Sequence, residues 1–571
     1  MNRSRMFTLA LGFLALAPAI NAGPSGRPQP PRAPVGIHAE VILDEYEAVQ
    51  LKKNPSMTPT DLDFYFVDLY KRLLSNTAVS GISLGVSWKR LEPHAPTGTG
   101  TDGYDWSWTD NLFLQVSAYN AANAGTPGFH PKTVQLGVSP GFNSPQWLLD
   151  KLPSCNYLFD HQEQAPPADG PPCGKATFNG FVEGGRKTAN GVTTDIAKDL
   201  PMPWNPTYKS AWETFLKALA ARYESCSEFV SIDVAGPTAS SGEMILPSDL
   251  NTTGTQIGGL MPDKMWSILL KHFFTNPKLH DNDKAFVDEW EKAINMYGKI
   301  FSGITLAVNT GSGLPRFNGD EFTTKPTPSC SDNGTLDMDC QANCPKLNLD
   351  CAAETEIMTY FAQPTVGGPN GKSGASDGMR GFGPYIKELD LGEPAVKWLP
   401  QHTAVLGGLQ FDRSFSMFPV EEGCIKDFPK KGAGKIAVSD TPAECLAPGT
   451  KMPPKFKYFN QATEGEYLIS PEQAAYNVLL YFFTGTPAGG VYRQAMGAAT
   501  LNYLQVYGPD IEYANSNPDL NVDVQEPTGP VTTAKATLDP ANFTTVQVSA
   551  QTLLNQANEQ LWSMALEPSI P

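Results

Sequence analysis

The 571-residue chain has no internal apolar run near 18 residues, and its mean hydropathy is -0.27, so a membrane-spanning protein is not expected. Basic residues are scarce beside acidic ones: 42 Lys and Arg against 59 Asp and Glu give a net charge of -17. Such a surface repels phosphate backbones, which argues against a nucleic-acid partner. No Gly-x-Gly-x-x-Gly follows the first apolar segment and no Gly-Lys-Ser/Thr occurs, so dinucleotide and phosphate-loop folds lack their fingerprints. Seven scattered His show no H-E-x-x-H or H-x-H spacing, and no G-x-S-x-G elbow exists; a metal hydrolase and a serine esterase both lose their signatures. No repeat of 20 to 50 residues is visible, which counts against solenoids and propellers. Neither a cofactor nor a metal is called for.

What is present is an exported-looking chain with long loops. Arg3 and Arg5 precede an apolar stretch, Phe7 to Ile20, and Ala22 offers a small residue for cleavage; residues 1–22 read as a signal peptide, with secretion or a periplasmic location as the consequence and a membrane anchor as the alternative. Losing Arg3 and Arg5 would take the net charge to -19. Residues 23–34 form a Pro-rich linker, and the folded part is expected from Val35, over 35–571. Nine Cys in an exported chain point to disulfides: Cys155 with Cys173 and Cys424 with Cys445 each bracket a loop, Cys330, Cys340, Cys344 and Cys351 cluster, and Cys226 is left over. A zinc reading of the four-Cys cluster is weaker, because it lacks the C-x2-C pair and a nearby His. Gly 51 and Pro 50 together approach a fifth of the chain, against about 12% in typical usage, and gather between the periodic segments.

Those segments alternate. Strands are expected at 37–43, 81–88, 133–138, 229–234, 304–308, 404–411 and 501–507, with an eighth inside a Cys-rich and Gly-rich insertion around 315–400. Between them lie helical stripes: Leu62, Phe66, Leu69, Leu73; Tyr208, Trp212, Phe215, Leu219; Val287, Trp290, Ile294, Tyr297; and helices at 110–121, 264–274 and 546–564. Ser470-Pro471-Glu472-Gln473 reads as a capped helix start, ended by Gly485, whereas 44–46 reads as loop. Alternation of this kind gives a parallel sheet with right-handed crossovers, and eight units give a (β/α)8 barrel of the TIM type with long, disulfide-stapled loops.

Chemistry in such a barrel sits where strands end. Trp88-Lys89-Arg90-Leu91-Glu92-Pro93 and then Tyr104-Asp105-Trp106-Ser107-Trp108 put an Arg, a carboxylate and three Trp after the second strand, suited to the flat C–H faces and hydroxyl rims of sugars, although Trp106 and Trp108 could equally cap the next helix. The W-x-x-L-E-P, Y-D-W and Asp110 pattern resembles the second strand and loop of clan-A-type glycoside hydrolases, including β-galactosidase-like families. Ser144-Pro145-Gln146-Trp147-Leu148 and Pro201-Met202-Pro203-Trp204-Asn205 are similar to such barrels as well, over roughly residues 36 to 250.

The resemblance implies a general acid/base Glu just past strand four, carried by Glu243, though Gly242 stands where an Asn is usual. The flanking Gly242, Met244 and Ile245 suit a partly desolvated carboxyl. It also implies a second Glu at the end of strand seven, where this chain has Gln410; Asp412, Asp510 and Glu512 are the alternatives, and Arg413 could neutralise Asp412. Trp88, Arg90, Glu92, Trp106, Trp147 and Gln410 are the expected substrate contacts. The expected function is a secreted glycosidase acting on a carbohydrate by two-carboxylate catalysis. The alternatives are a silent barrel that binds carbohydrate at a cell surface, and a multidomain adhesin, against which the helix near the end argues.

Overall fold

Eight segments share one alternation, and it organises the molecule. They are β1 (Gly36–Ile42), β2 (Val79–Ser87), β3 (Thr133–Ser139), β4 (Phe229–Asp233), β5 (Thr305–Val308), β6 (Tyr385–Ile386), β7 (Leu406–Gln410) and β8 (Thr500–Tyr507). The computed structural model describes residues 32–97, 103–160, 173–181, 192–240, 242–249, 251–280, 283–308, 500–527 and 543–566, with shorter stretches between them, among which β6 and β7 are described as backbone. The chain divides into two units, Met1–Pro30 and Pro31–Pro571, and the first lies outside the described residues.

Six strands form a curled parallel sheet in the order β5-β4-β3-β2-β1-β8; β6 pairs parallel with β5 and with β7, and β7 with β8. Along each strand the residues divide by parity. Ile37, Ala39 and Val41, then Ile82, Leu84 and Val86, then Val134, Leu136 and Val138, then Leu504 and Val506, join the apolar shell under the helices. The other parity is small or polar: His38 and Glu40, Gly81 and Ser83, Gln135 and Gly137, Ser231 and Asp233, Tyr503 and Gln505. Gln505 Nε2 reaches Ser83 Oγ at 2.6 Å and Gln135 Oε1 at 3.0 Å, across the strands between them, which places this second set inside the curl.

The helices that cover the sheet are α1 (Leu43–Lys53), α2 (Pro59–Ser75), α3 (Ser107–Asn123), α4 (Pro206–Tyr223), α5 (Pro262–Phe273), α6 (Lys284–Ile300), α7 (Gly508–Ser516) and α8 (Ala550–Leu566). Their starts are written in the sequence. Thr58 and Asp61 form a capping box ahead of Pro59, and Asn205 Oδ1 accepts from the backbone N–H of Thr207 and Tyr208 ahead of Pro206. The three expected stripes are buried as expected: Leu62, Phe66, Leu69, Leu73 on α2, Tyr208, Trp212, Phe215, Leu219 on α4, and Val287, Trp290, Ile294, Tyr297 on α6. Each such side chain withdrawn from water contributes roughly 1.5–3 kcal/mol before entropy is subtracted.

The last helix, α8, lies against the first two strands. Asn558 Oδ1 accepts from Ile37 N at 2.9 Å and from Ser80 Oγ at 2.9 Å, Trp562 Nε1 donates to the same Ser80 Oγ, and Asn76 Nδ2 donates to Gln551 Oε1 at 2.8 Å. Gly36, at φ +80, passes so close to Ser80 and Asn558 that a Cβ there would collide with both.

Several expectations are corrected. Residues 44–46 are helical, inside α1, because β1 runs directly into it. The stretch 546–564 is not one helix: Phe543–Val548 is a strand paired antiparallel with Val522–Pro527, and the helix begins at Ala550. The linker ends earlier than 34, since the Arg32 guanidinium donates to the carbonyls of Glu224, Cys226 and Gly303. Among the described residues one disulfide is present, Cys155–Cys173, and Cys226 is free. The four-Cys cluster, Cys445 and the capped start at 470 lie outside the described residues, and Cys424 is described only as backbone in a two-residue strand.

Candidate active site

The carboxyl ends of β1 to β4 gather charge. Because α1 starts at Leu43, its first turns hold Asp44 and Glu47 at the end of β1, and both accept from Arg90, on the short helix Trp88–Leu91 that follows β2. Arg90 Nη2 meets Asp44 Oδ1 at 2.6 Å, and its guanidinium lies 4.7 Å from the Trp108 ring centroid. Burial alone would lower the Arg90 pKa, but the two carboxylates outweigh it and hold the group above its ordinary value. Lys89 donates to Asn143 Oδ1 at 3.0 Å, while Asn143 Nδ2 donates to Ser139 Oγ at the end of β3 and to the Ser240 carbonyl in the loop after β4. That loop is drawn in by Ala239 N donating to the Ile245 carbonyl at 2.7 Å, with Met244 and Leu246 buried and Glu243, just before them, half-buried. Gly141, at φ +66, turns the chain after β3 where a Cβ would strike the Ala239 carbonyl.

Glu92 closes the short helix and is only 2% exposed. Its Oε2 accepts from Trp88 Nε1 at 2.7 Å and its carbonyl accepts from Trp147 Nε1 at 3.1 Å. Loss of water around the carboxyl raises its pKa to about 7, against smaller lowering effects from the Trp88 hydrogen bond and Lys151. Trp88 itself is fully buried, packed 4.8 Å from Trp212 and 5.8 Å from Phe215.

Beneath this rim the interior is hydrogen-bonded. Gln135 Nε2 donates to Asp233 Oδ1 at 2.6 Å, and the Tyr503 hydroxyl donates to Gln135 Oε1. Burial, then the charges of Asp233 and Glu40, push the Tyr503 phenol well above its usual range, so it stays a donor. His38 Nε2 lies 2.8 Å from Thr133 Oγ1, and burial lowers the His38 pKa to about 3, keeping the ring neutral. Among the described residues no group of three or more His, Cys, Asp or Glu is placed to hold a metal ion.

No family model matches the chain, and no characterised protein matches it. Solved structures match loosely. The catalytic domain of β-amylase from Paenibacillus polymyxa is similar over 66% of this chain and 86% of its own, at 10% identity and TM-score 0.31. Endo-glycoceramidase II from Rhodococcus sp. aligns over 65% of this chain and 70% of its own, at 13% identity and TM-score 0.24. The β-galactosidase from Bacillus circulans sp. alkalophilus aligns at 10% identity and TM-score 0.26 over 71% of this chain, which spans 41% of that protein. At these TM-scores the superpositions assign no residue and no activity.

The expected site residues fall in different places. Glu92 and Trp147 meet at the carboxyl ends of β2 and β3, with the Glu243 loop tied to the same corner through Asn143 and Ser240, whereas Arg90 turns to Asp44, Glu47 and Trp108. Trp88 is a core residue that holds the Glu92 carboxyl; with 0% exposure it presents no ring to a substrate. Trp106 stacks on Phe215 at 5.8 Å and lies 4.9 Å from Tyr104, in the N-cap position of α3. Asp510 is buried in the first turn of α7. Glu512 accepts from Arg72 at 2.8 Å, an ion pair between α7 and α2 in the helical layer. Gln410 is described as backbone, paired with Gln505 in register, and Asp412 lies outside the described residues. Glu47 and Asn143 were not expected in the site. Asp44, like Glu40 and Glu45, was a weaker candidate carboxylate, discounted by reading 44–46 as loop, and Asn143 carries no motif.

Proposed function

We propose that the protein is an exported glycoside hydrolase built on a (β/α)8 barrel, acting on an oligo- or polysaccharide with acid/base carboxyls at the carboxyl ends of its strands. The observation that carries this reading is Glu92: a carboxyl at the end of β2, 2% exposed and bonded to the Trp88 indole, where loss of water raises its pKa to about 7. Protonating a glycosidic oxygen needs an acid of that kind, and barrel chemistry sits at that end. Glu92 is the proton donor in this proposal. Glu243, half-buried on the neighbouring loop, is the base or nucleophile in it. Trp147, partly exposed beside Lys151, and the Arg90–Asp44 pair supply an aromatic face and polar groups for the sugar. Asp510 and Glu512 are assigned structural roles, as a helix-start carboxylate and an ion-pair partner.

The test is reducing-sugar release from plant, algal and bacterial polysaccharides and from aryl glycosides, comparing the natural protein with Glu92→Gln and Glu243→Gln. Loss of the acid should lower polysaccharide turnover by about 10²–10⁴-fold and spare aryl glycosides, whose leaving groups need no proton. Loss of the base or nucleophile should remove both. Absence of release from every substrate, with one glycan still bound, would establish the silent barrel instead.

A further inference from the structure

A cavity of about 60 Å³ opens in the helical layer outside the curl of strands, between the start of α4, the end of β4 and the middle of α6. Its walls are apolar, with Trp212 and Met296 as the largest faces and Ala235-Gly236-Pro237 as the back. Its mouth is charged. Glu289, 6% exposed, accepts from Lys209 Nζ on one oxygen at 2.7 Å and from Lys292 Nζ on the other at 2.6 Å. Two ammonium groups against one carboxylate leave the trio with a net positive charge. Both carboxylate oxygens are already engaged, whereas each ammonium carries three donors and has used one on Glu289. Lys209 and Lys292, both lining the cavity, remain 41% and 57% exposed and keep N–H groups beyond the one each spends on Glu289.

We propose that this cavity binds a short-chain carboxylate: the carboxylate sits on Lys209 and Lys292, neutralising the trio, and the alkyl end lies against Trp212 and Met296. The size fits a molecule of a few heavy atoms, since a water needs on the order of 10–15 Å³ by the same measure. A cation is disfavoured by the net charge, and a larger anion by the volume. The site is independent of the glycosidase proposal, because it lies in the helical layer and is read by binding alone. It does adjoin function: Gly236 and Pro237 lead from β4 into the loop that holds Glu243, and Gly236 leaves no room for a Cβ beside Trp290.

The experiment is titration calorimetry of the whole protein with sodium propionate at low ionic strength, with sodium chloride and propylammonium chloride as controls. Propionate should bind at one site with a Kd of about 1–10 mM, in keeping with a ligand of five heavy atoms. The Lys209→Gln/Lys292→Gln double variant should bind about tenfold more weakly or not at all, since charge-assisted hydrogen bonds are lost. Ala293→Leu, which fills the cavity and leaves both charges in place, should abolish binding as well. Circular dichroism and a melting curve establish that each variant is folded. No propionate binding to the natural protein, equal binding of propylammonium, or undiminished binding in folded Ala293→Leu would each overturn the proposal.

Discussion

Glu92 shows how one residue ties the fold to its chemistry. Its carboxyl is about 7 in the folded protein and 4.5 when exposed, so between those values the native state holds the extra proton. Its contribution to stability is therefore fully present below about 4.5 and is lost as pH rises through 7. Urea unfolding at pH 5 and pH 8 should show the natural protein losing about 2 kcal/mol more than Glu92→Gln across that interval; parallel losses in the two proteins would contradict the burial argument. His38 works in the opposite direction. Its ring is held neutral down to about 3 against 6.5 in the open chain, so what its burial contributes is present above 6.5 and lost as pH falls toward 3. A third position is steric. Gly141→Ala places a Cβ against the Ala239 carbonyl at a φ that L-residues avoid, and should lower Tm measurably while loosening the Glu243 loop. Neither Glu92's desolvation nor Gly141's close contact is visible in a linear sequence, because the first depends on the packing around Trp88 and Trp147 and the second on the Ala239 carbonyl brought in by the loop after β4. The motif around Glu92 was legible, but the burial that raises its pKa was not.

Helices were legible in proportion to their stripes. α2, α4 and α6 bury apolar residues at the 3.6 period, and their caps, Thr58 with Asp61 and Asn205 with Pro206, stand where the sequence puts them. α1 was missed because Leu-Asp-Glu-Tyr-Glu-Ala-Val-Gln-Leu-Lys-Lys buries only Leu43, leaving almost no period to read. The end of the strand Phe543–Val548 was absorbed into the following helix because Val546 falls in step with Ala550, Leu553 and Ala557 of α8. Parity along the central strands was the unread signal: Ile-Ser-Leu-Gly-Val-Ser in β2 and Val-Gln-Leu-Gly-Val-Ser in β3 alternate apolar with small or polar, which writes a hydrogen-bonded interior into the sequence. Two measurements belong to this scale. Thr58→Ala removes one half of the capping box and should lower stability by about 1 kcal/mol in urea. Replacing Cys155 and Cys173 by Ser frees a loop of sequence separation 18 and should lower it by about 2–4 kcal/mol, read from unfolding with and without reductant.

For the whole molecule, the alternation of strands and helices foretold a parallel α/β sheet, and six strands with described side chains bear that out. The eighth strand of the expected set is the two-residue β6, too short to carry any periodicity. Distant segments meet in space: α8 satisfies the backbone of Ile37 and the side chains of Asn76 and Ser80, more than 470 residues away in sequence. Contacts of that separation slow folding, since the closure entropy of the intervening chain is spent before they form. A growing polypeptide on the ribosome therefore carries β1 and β2 with their amino ends uncovered until α8 has been made. Substitutions at Asn558 or Trp562 should therefore lower the yield of folded protein in cells more than they lower the melting temperature of what survives.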